Sequence, residues 1–277
     1  MRRMIALCLF CLLAIVPSGA TACGNTDRCE IDGGYYLAAA PADWDGESKL
    51  PVVVYFHGWN GSPEGTFRNK AMVNGVNTRG GLFIAPYART GYWRQIGRGR
   101  AESGRDELAY IRAVMADVRR RWPVDESLTM TSGFSRGASM SWNAACYAGD
   151  LFAGHAPIAG GFWHSTPETC PTGPVTMRHI HGTSDGVVDY DIVGIYNSMP
   201  IPEGMELLRG LNRADDVPDH TYSLDHPKRP RECTRWDGDT GHVLEVCLHP
   251  KGHSIPAEWV GEGLDWLRNL TNVATAN

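Results

Sequence analysis

Apolar residues along this chain gather in short unbroken runs, separated by stretches in which they recur at helical spacing. The runs at 51–58 (PVVVYFHG) and 81–88 (GLFIAPYA) have the length and composition of strands buried on both faces. Between Arg105 and Trp122, residues Leu108, Ile111, Met115, Val118 and Trp122 recur at intervals of three and four, which predicts a helix with one core-facing stripe. Residues 127–133 (SLTMTSG) read as a strand, about 138–147 as a helix, 155–161 as a short strand and 175–182 as another. A last strand at 242–249 leads to a final helix at 257–270, and 33–41 (GGYYLAAAP) reads as an edge strand. Strands that alternate with helices predict an α/β fold with a mostly parallel, doubly wound sheet covered on both faces. In such sheets ligands meet the carboxyl ends of the strands.

The first 22 residues are set apart by pattern. Arg2 and Arg3 precede an apolar run from 4 to 16 and a small-residue ending at Ala20-Thr21-Ala22, the layout of a signal peptide cleaved after Ala22. The run is shorter than the roughly 20 residues needed to cross a bilayer, so no stable membrane span is expected. A lipoprotein anchored through Cys23 is the alternative, although Ala20 stands where bacterial lipoproteins usually carry Leu. Residues 23–277 then suit one catalytic-size domain, with no linker or repeat to divide it.

Loss of Arg2 and Arg3 leaves 24 basic against 31 acidic residues, a net charge of −7 that argues against nucleic acid as a partner. The one basic stretch, 92–105 (YWRQIGRGRAESGR), is broken by glycines and reads as a solvated loop. Cys8 and Cys11 leave with the leader. The six that remain, an even number in an exported chain, argue for disulfides. CTRWDGDTGHVLEVC reads as two strands around an Asp-Gly turn, which pairs Cys233 with Cys247; proximity pairs Cys23 with Cys29 and Cys146 with Cys170. None of these six has the C-x-x-C spacing of a zinc site.

The candidate chemistry centres on TSGFSRGASM, 131–140, where a strand runs into a serine flanked by glycines and then into a helix. That context is required of a nucleophile elbow: Gly133 and Gly137 stand where side chains would meet neighbouring backbone, and Ser135 takes a strained conformation. A serine hydroxyl needs a base, and the base needs a third group to hold it. In this chain order the acid is expected after the next strand but one, at Asp185 in TSDGVVDY, with Asp189 and Asp191 as alternatives. The base is expected after the last strand, at His253 in HPKGHSIP, with His249 as the alternative. An oxyanion would be held by the backbone N–H groups of Arg136 and of Trp59, or of Gly58 in place of Trp59, in the turn after the strand at 51–58. His179 and His181, two apart on a strand, share a face as metal ligands would, but no further ligands complete a site, and neither metal nor cofactor is expected.

Five blocks, YFHGWNGS, GFSRGASM, Cys170-Pro171, HIHGTSDGVVDY and LHPKGHSIP, resemble in order and spacing the secreted polyhydroxybutyrate depolymerase and feruloyl esterase group of α/β-hydrolases, from about Tyr36 to Trp266. The resemblance implies ester hydrolysis through an acyl-enzyme without a cofactor, with the family's serine, aspartate and histidine at Ser135, Asp185 and His253. Polyester oligomers are the first expected substrate and feruloyl or acetyl esters of plant polymers the alternative; a non-catalytic binding protein on an esterase scaffold is the rival of another class. The chain departs from its relatives at Arg136, Trp59 and Ile255. Arg136 is expected to fold against an acidic neighbour, or else to favour a substrate with a carboxylate. The segment at about 189–231, between acid and base, is expected to be an insert that borders the cleft and sets specificity.

Overall fold

The computed structural model describes residues 23–24, 27–94, 96, 104–163, 167–194, 197–226 and 229–275. The leader and most of the basic stretch at 92–105 lie outside the described residues. One sheet of ten strands organises them, in the order β1-β2-β4-β3-β5-β6-β7-β10-β9-β8. Its centre is six parallel strands: β4 (Leu82–Pro86), β3 (Leu50–Phe56), β5 (Val124–Phe134), β6 (Gly154–Ile158), β7 (Met177–Gly182) and β10 (Val243–His249). Antiparallel pairs extend it on both sides, β2 (Gly34–Ala39) and β1 (Cys29–Ile31) on one, β9 (Arg231–Asp237) and β8 (His220–Leu224) on the other.

The run at 51–58 shows why the centre reads as unbroken apolar sequence. Val52, Val54 and Phe56 join the core under α3 (Glu107–Arg121) and α4 (Arg136–Tyr147), whereas Val53 and Tyr55 join the core under α2 (Lys70–Asn77) and α6 (Glu258–Thr275). Alternate side chains of one strand thus serve two hydrophobic layers. In α3 the expected stripe is buried at Ile111, Met115 and Val118, with Asp106 capping its first turn by accepting from the Ala109 N–H. Leu108 and Trp122, at the ends of that stripe, are half-buried.

Three expectations are corrected or extended. The strand at 34–39 is not an edge, because Cys29–Ile31 folds back on it through a two-residue Asp32-Gly33 loop, with Gly33 at φ +85°. The short helix α1 (Pro63–Arg68) and α2 were not legible as elements in the sequence. The segment at 189–231, expected as an insert, holds α5 (Ile201–Asn212), whose Ile201, Met205 and Leu208 pack with Trp142 and Phe162, and the outer strand β8.

All three disulfides join the expected partners, Cys23–Cys29, Cys146–Cys170 and Cys233–Cys247. Cys233 and Cys247 stand directly opposite in the β9–β10 ladder. The Cys23 sulfur is bonded to that of Cys29. Among the described residues, no helix is long and apolar enough to cross a membrane.

Candidate active site

At the carboxyl end of β5 the chain turns in a single residue. Ser135 has φ 57° and ψ −122°, a conformation that side chains rarely adopt, and α4 begins at the next residue. The turn is held by the Ser135 N–H donating to the Ile158 carbonyl at 3.1 Å, and the Ser139 N–H to the Ser135 carbonyl at 3.0 Å. The flanking glycines are there for space. A Cβ on Gly133 would lie 2.4 Å from the Gly137 carbonyl oxygen, and one on Gly137 would lie 1.9 Å from that of Phe56. Gly160 permits the third approach, since its Cβ would stand 2.3 Å from the Ser135 oxygen.

Asp185 and His253 meet because β7 and β10 are parallel neighbours in register, with Gly182 opposite His249. The loops that leave these strands run side by side, tied by the Thr183 N–H to the His249 carbonyl at 2.8 Å and the Ser184 N–H to the Lys251 carbonyl at 3.2 Å. His253 Nδ1 lies 2.7 Å from Asp185 Oδ2. Asp185 Oδ1 accepts from the Val187 and Val188 N–H groups at 2.9 and 3.0 Å. Asp185 therefore closes a local turn with one oxygen while the other meets the imidazole. Burial pushes this carboxyl up, but the bonds from His253, Val187 and Val188 outweigh it and hold it below the usual aspartate range. The His253 ring packs on Phe134, centroids 4.6 Å apart, the residue before Ser135.

Beneath Asp185 runs a chain of buried rings whose polarity can be assigned. The Trp142 indole can only donate, and its Nε1 reaches His179 Nδ1 at 3.3 Å. His179 must then donate from Nε2 to His181 Nδ1, 2.8 Å away, which leaves His181 Nε2 to donate to the Val188 carbonyl at 2.8 Å, with Asp185 Oδ2 3.6 Å away. Burial drives both imidazoles toward the neutral form that this pattern needs. The two histidines do share a face, as their spacing predicts, but these bonds occupy their ring nitrogens. Cys233, Glu245 and Cys247 also cluster, yet both sulfurs are in a disulfide.

The turn after β3 adjoins Ser135. A Cβ on Gly58 would be 3.8 Å from that of Ser135, and the turn closes with the Gly61 N–H on the Gly58 carbonyl. His57, buried, braces it: Nδ1 donates to the Gly58 carbonyl at 2.9 Å, Nε2 accepts from the Ala88 N–H at 3.4 Å, and its own carbonyl accepts from Trp93 Nε1. Burial lowers the His57 pKa, consistent with that neutral tautomer. Arg136 opens α4, where a backbone N–H has no partner within the helix. Its guanidinium donates from Nε to the Trp93 carbonyl at 2.9 Å and faces the rings of Trp163, Tyr92 and Trp59 at 4.5, 5.1 and 5.7 Å. The expected acidic neighbour is not found among the described residues.

Ser135, His253, Trp59 and Arg136 line one cavity of about 330 Å³, closed by Trp163, Val187 and Val188. Asp185 sits behind it. Asp189 and Asp191 instead form a local turn, with the Asp191 N–H on Asp189 Oδ1, and His249 is buried against Trp259. Of the segment at 189–231, Ser198 reaches the cavity wall, whereas β8 lies at the far edge of the sheet. Sequence reading missed His57 as a brace and the Trp142-His179-His181 chain; the H-x-H spacing was visible, but Trp142 reaches it only through the packing of α4.

No family model matches the chain. Two proteins named "Probable feruloyl esterase C", from Aspergillus clavatus and Aspergillus niger, are each 25% identical to it, over 68% and 67% of this chain and 70% and 69% of their own. Among solved structures, an acetyl xylan esterase from Aspergillus awamori superposes with a TM-score of 0.59 at 18% identity, covering 82% of this chain and 93% of that one.

Proposed function

We propose that this chain, an α/β-hydrolase of the feruloyl esterase and polyhydroxybutyrate depolymerase-like family, hydrolyses carboxylic esters through an acyl-enzyme on Ser135. One observation carries the reading: a serine in a strained turn shares a cavity with an imidazole whose Nδ1 is bonded to a buried carboxylate. With Nδ1 committed to Asp185, the histidine keeps Nε2 as the nitrogen that takes the serine proton. The alkoxide attacks the ester carbonyl, and the N–H groups of Arg136 and Trp59 are the donors we assign to the oxyanion, each worth roughly 3 to 4 kcal/mol in such sites. Imidazolium then protonates the departing alcohol. Water, deprotonated by the same imidazole, releases the acid.

Feruloyl and acetyl esters of plant polymers are the substrate class favoured by the relatives, with polyester oligomers second. Export fits the leader and the three disulfides, which persist in oxidising compartments.

The test is Ser135→Ala with p-nitrophenyl butyrate, where turnover is expected to fall by a factor on the order of 10⁶. A fluorophosphonate should label the parent protein and not the variant. Undiminished hydrolysis by the variant would refute the role of Ser135, and a parent protein that is neither labelled nor active would favour a binding protein instead. A panel of feruloyl and acetyl xylo-oligosaccharides and hydroxybutyrate oligomers then ranks the substrates.

A further inference from the structure

The Arg136 side chain is placed unlike the other sheltered arginines of this molecule. Arg105, Arg178 and Arg231 are buried and each faces a carboxylate, Glu107, Glu245 and Glu262 respectively. Burying a guanidinium costs free energy that a counter-ion offsets, and these three obey that rule. Arg136 is half-buried, and among the described residues its one hydrogen-bond acceptor is the Trp93 carbonyl, reached by Nε. Three aromatic rings surround it and supply attraction to the cation without supplying charge. Trp59 and Tyr92 are stacked on each other, 4.9 Å apart and 13° from parallel. The nearby charge is a second cation, Arg94, whose guanidinium bonds the Tyr92 hydroxyl at 3.2 Å. Burial lowers the Arg136 pKa, opposed by Tyr92 and aided by Arg94, and among the described residues no carboxylate pairs with it.

Nε on a backbone carbonyl leaves the two terminal nitrogens as an end-on fork, which matches the two oxygens of a carboxylate. The same side chain lines the cavity that holds Ser135 and His253. We infer that Arg136 is a specificity determinant and that the preferred esters carry a free carboxylate close to the scissile bond, seated on this fork. The inference rests on the esterase reading of the same cavity and narrows it. The anion can belong to the alcohol part, as in a hydroxyacid oligomer or a uronate, or to the acyl part, as in a half-ester of a dicarboxylic acid.

Binding to the Ser135→Ala protein tests this without consuming the ligand. Quenching of tryptophan fluorescence, with Trp59 and Trp163 beside the guanidinium, gives the affinity of two free acids and of their methyl esters. The acids are 3-(butanoyloxy)butanoate, anionic on the alcohol side, and monobutyl succinate, anionic on the acyl side. At least one acid is expected to bind about 10- to 100-fold more tightly than its methyl ester, and the one that does assigns the side. Arg136→Gln in the same background should bring that ratio to within about 3-fold of unity, and Arg136→Lys, which keeps charge but not the planar fork, should lower it in part. Equal affinities in both pairs overturn the inference, as does a preference that survives in Arg136→Gln. If Arg136→Gln does not fold, an undiminished preference in Arg136→Lys overturns it. Hydrolysis is not read in this titration, so failure of the esterase reading shows separately, as parent protein that cleaves no ester.

Discussion

Replacing Asp185 by asparagine tests the proposed chemistry through one proton. Two backbone N–H groups, of Val187 and Val188, converge on Oδ1, whereas Oδ2 faces the single Nδ1 of His253. An asparagine can serve only one of these sides with its oxygen. Turning its NH₂ toward the two N–H groups would orphan the buried Val188 donor at about 1–3 kcal/mol and the half-buried Val187 donor besides, so the oxygen stays with them. The NH₂ then points at His253 Nδ1, which must become the acceptor. That moves the ring proton to Nε2, the nitrogen that has to receive the serine proton. Turnover of p-nitrophenyl butyrate is expected to fall about 10⁴-fold, roughly 5 kcal/mol of barrier, as when the wrong tautomer is trapped in other triads. Asp185 does not line the cavity, so KM should stay within about 3-fold of the parent value. Asp189→Asn, which changes only a local turn, should leave both constants nearly unaltered. A Asp185→Asn protein with more than about a tenth of the parent kcat, or an equal loss in Asp189→Asn, would refute the reasoning.

Two further outcomes follow from packing and burial. Gly137→Ala sets a methyl 1.9 Å from the Phe56 carbonyl oxygen and 2.6 Å from that of His57, both backbone atoms of or next to β3. It should lose at least about 3 kcal/mol, or roughly 10 °C in Tm, whereas Gly210→Ala, with open space around it in α5, should not destabilise; equal melting of the two would contradict the steric account. Burial pushes the His155 pKa down to about 3, and burial, aided by His181 and Arg231, pushes that of His249 down to about 4. Both are neutral in the folded protein while the unfolded chain takes up protons below its ordinary value, so stability falls as pH drops from about 6.5 toward the folded pKa values. Together they should remove about 3 kcal/mol between pH 6.5 and 5, read as a lower urea midpoint. A midpoint that is flat over that window would count against it.

The alternation in 51–58, the stripe in α3 and the Gly-x-Ser-x-Gly turn are local matters, and local sequence determined them. Each states which face of an element is apolar or where only glycine fits, and such constraints act within a few residues. The disulfide pairs were legible for the same reason, because their partners are close along the chain. Strand β8 escaped sequence reading because, mostly exposed at the outer edge of the sheet, it has no apolar run, whereas the four-and-three spacing of Ile201, Met205 and Leu208 that marks α5 is present in the sequence but went unrecognised behind Pro200 and Pro202. The apolar side of that helix is defined by Trp142 and Phe162, elsewhere in the chain.

The candidate site divides along the same line. Chain order and local pattern put forward Ser135, Asp185 and His253, with Asp189, Asp191 and His249 left open. Only the pairing of β7 with β10, in the register that sets Gly182 beside His249, placed the aspartate 2.7 Å from the imidazole and chose it over Asp189 and Asp191. The polarity of the Trp142-His179-His181 chain and the counter-ion-poor cage around Arg136 were likewise decided by contacts between distant segments. The reason is physical: a charge or a proton takes its energy from whatever surrounds it in space, and those surroundings exist only once the sheet has assembled.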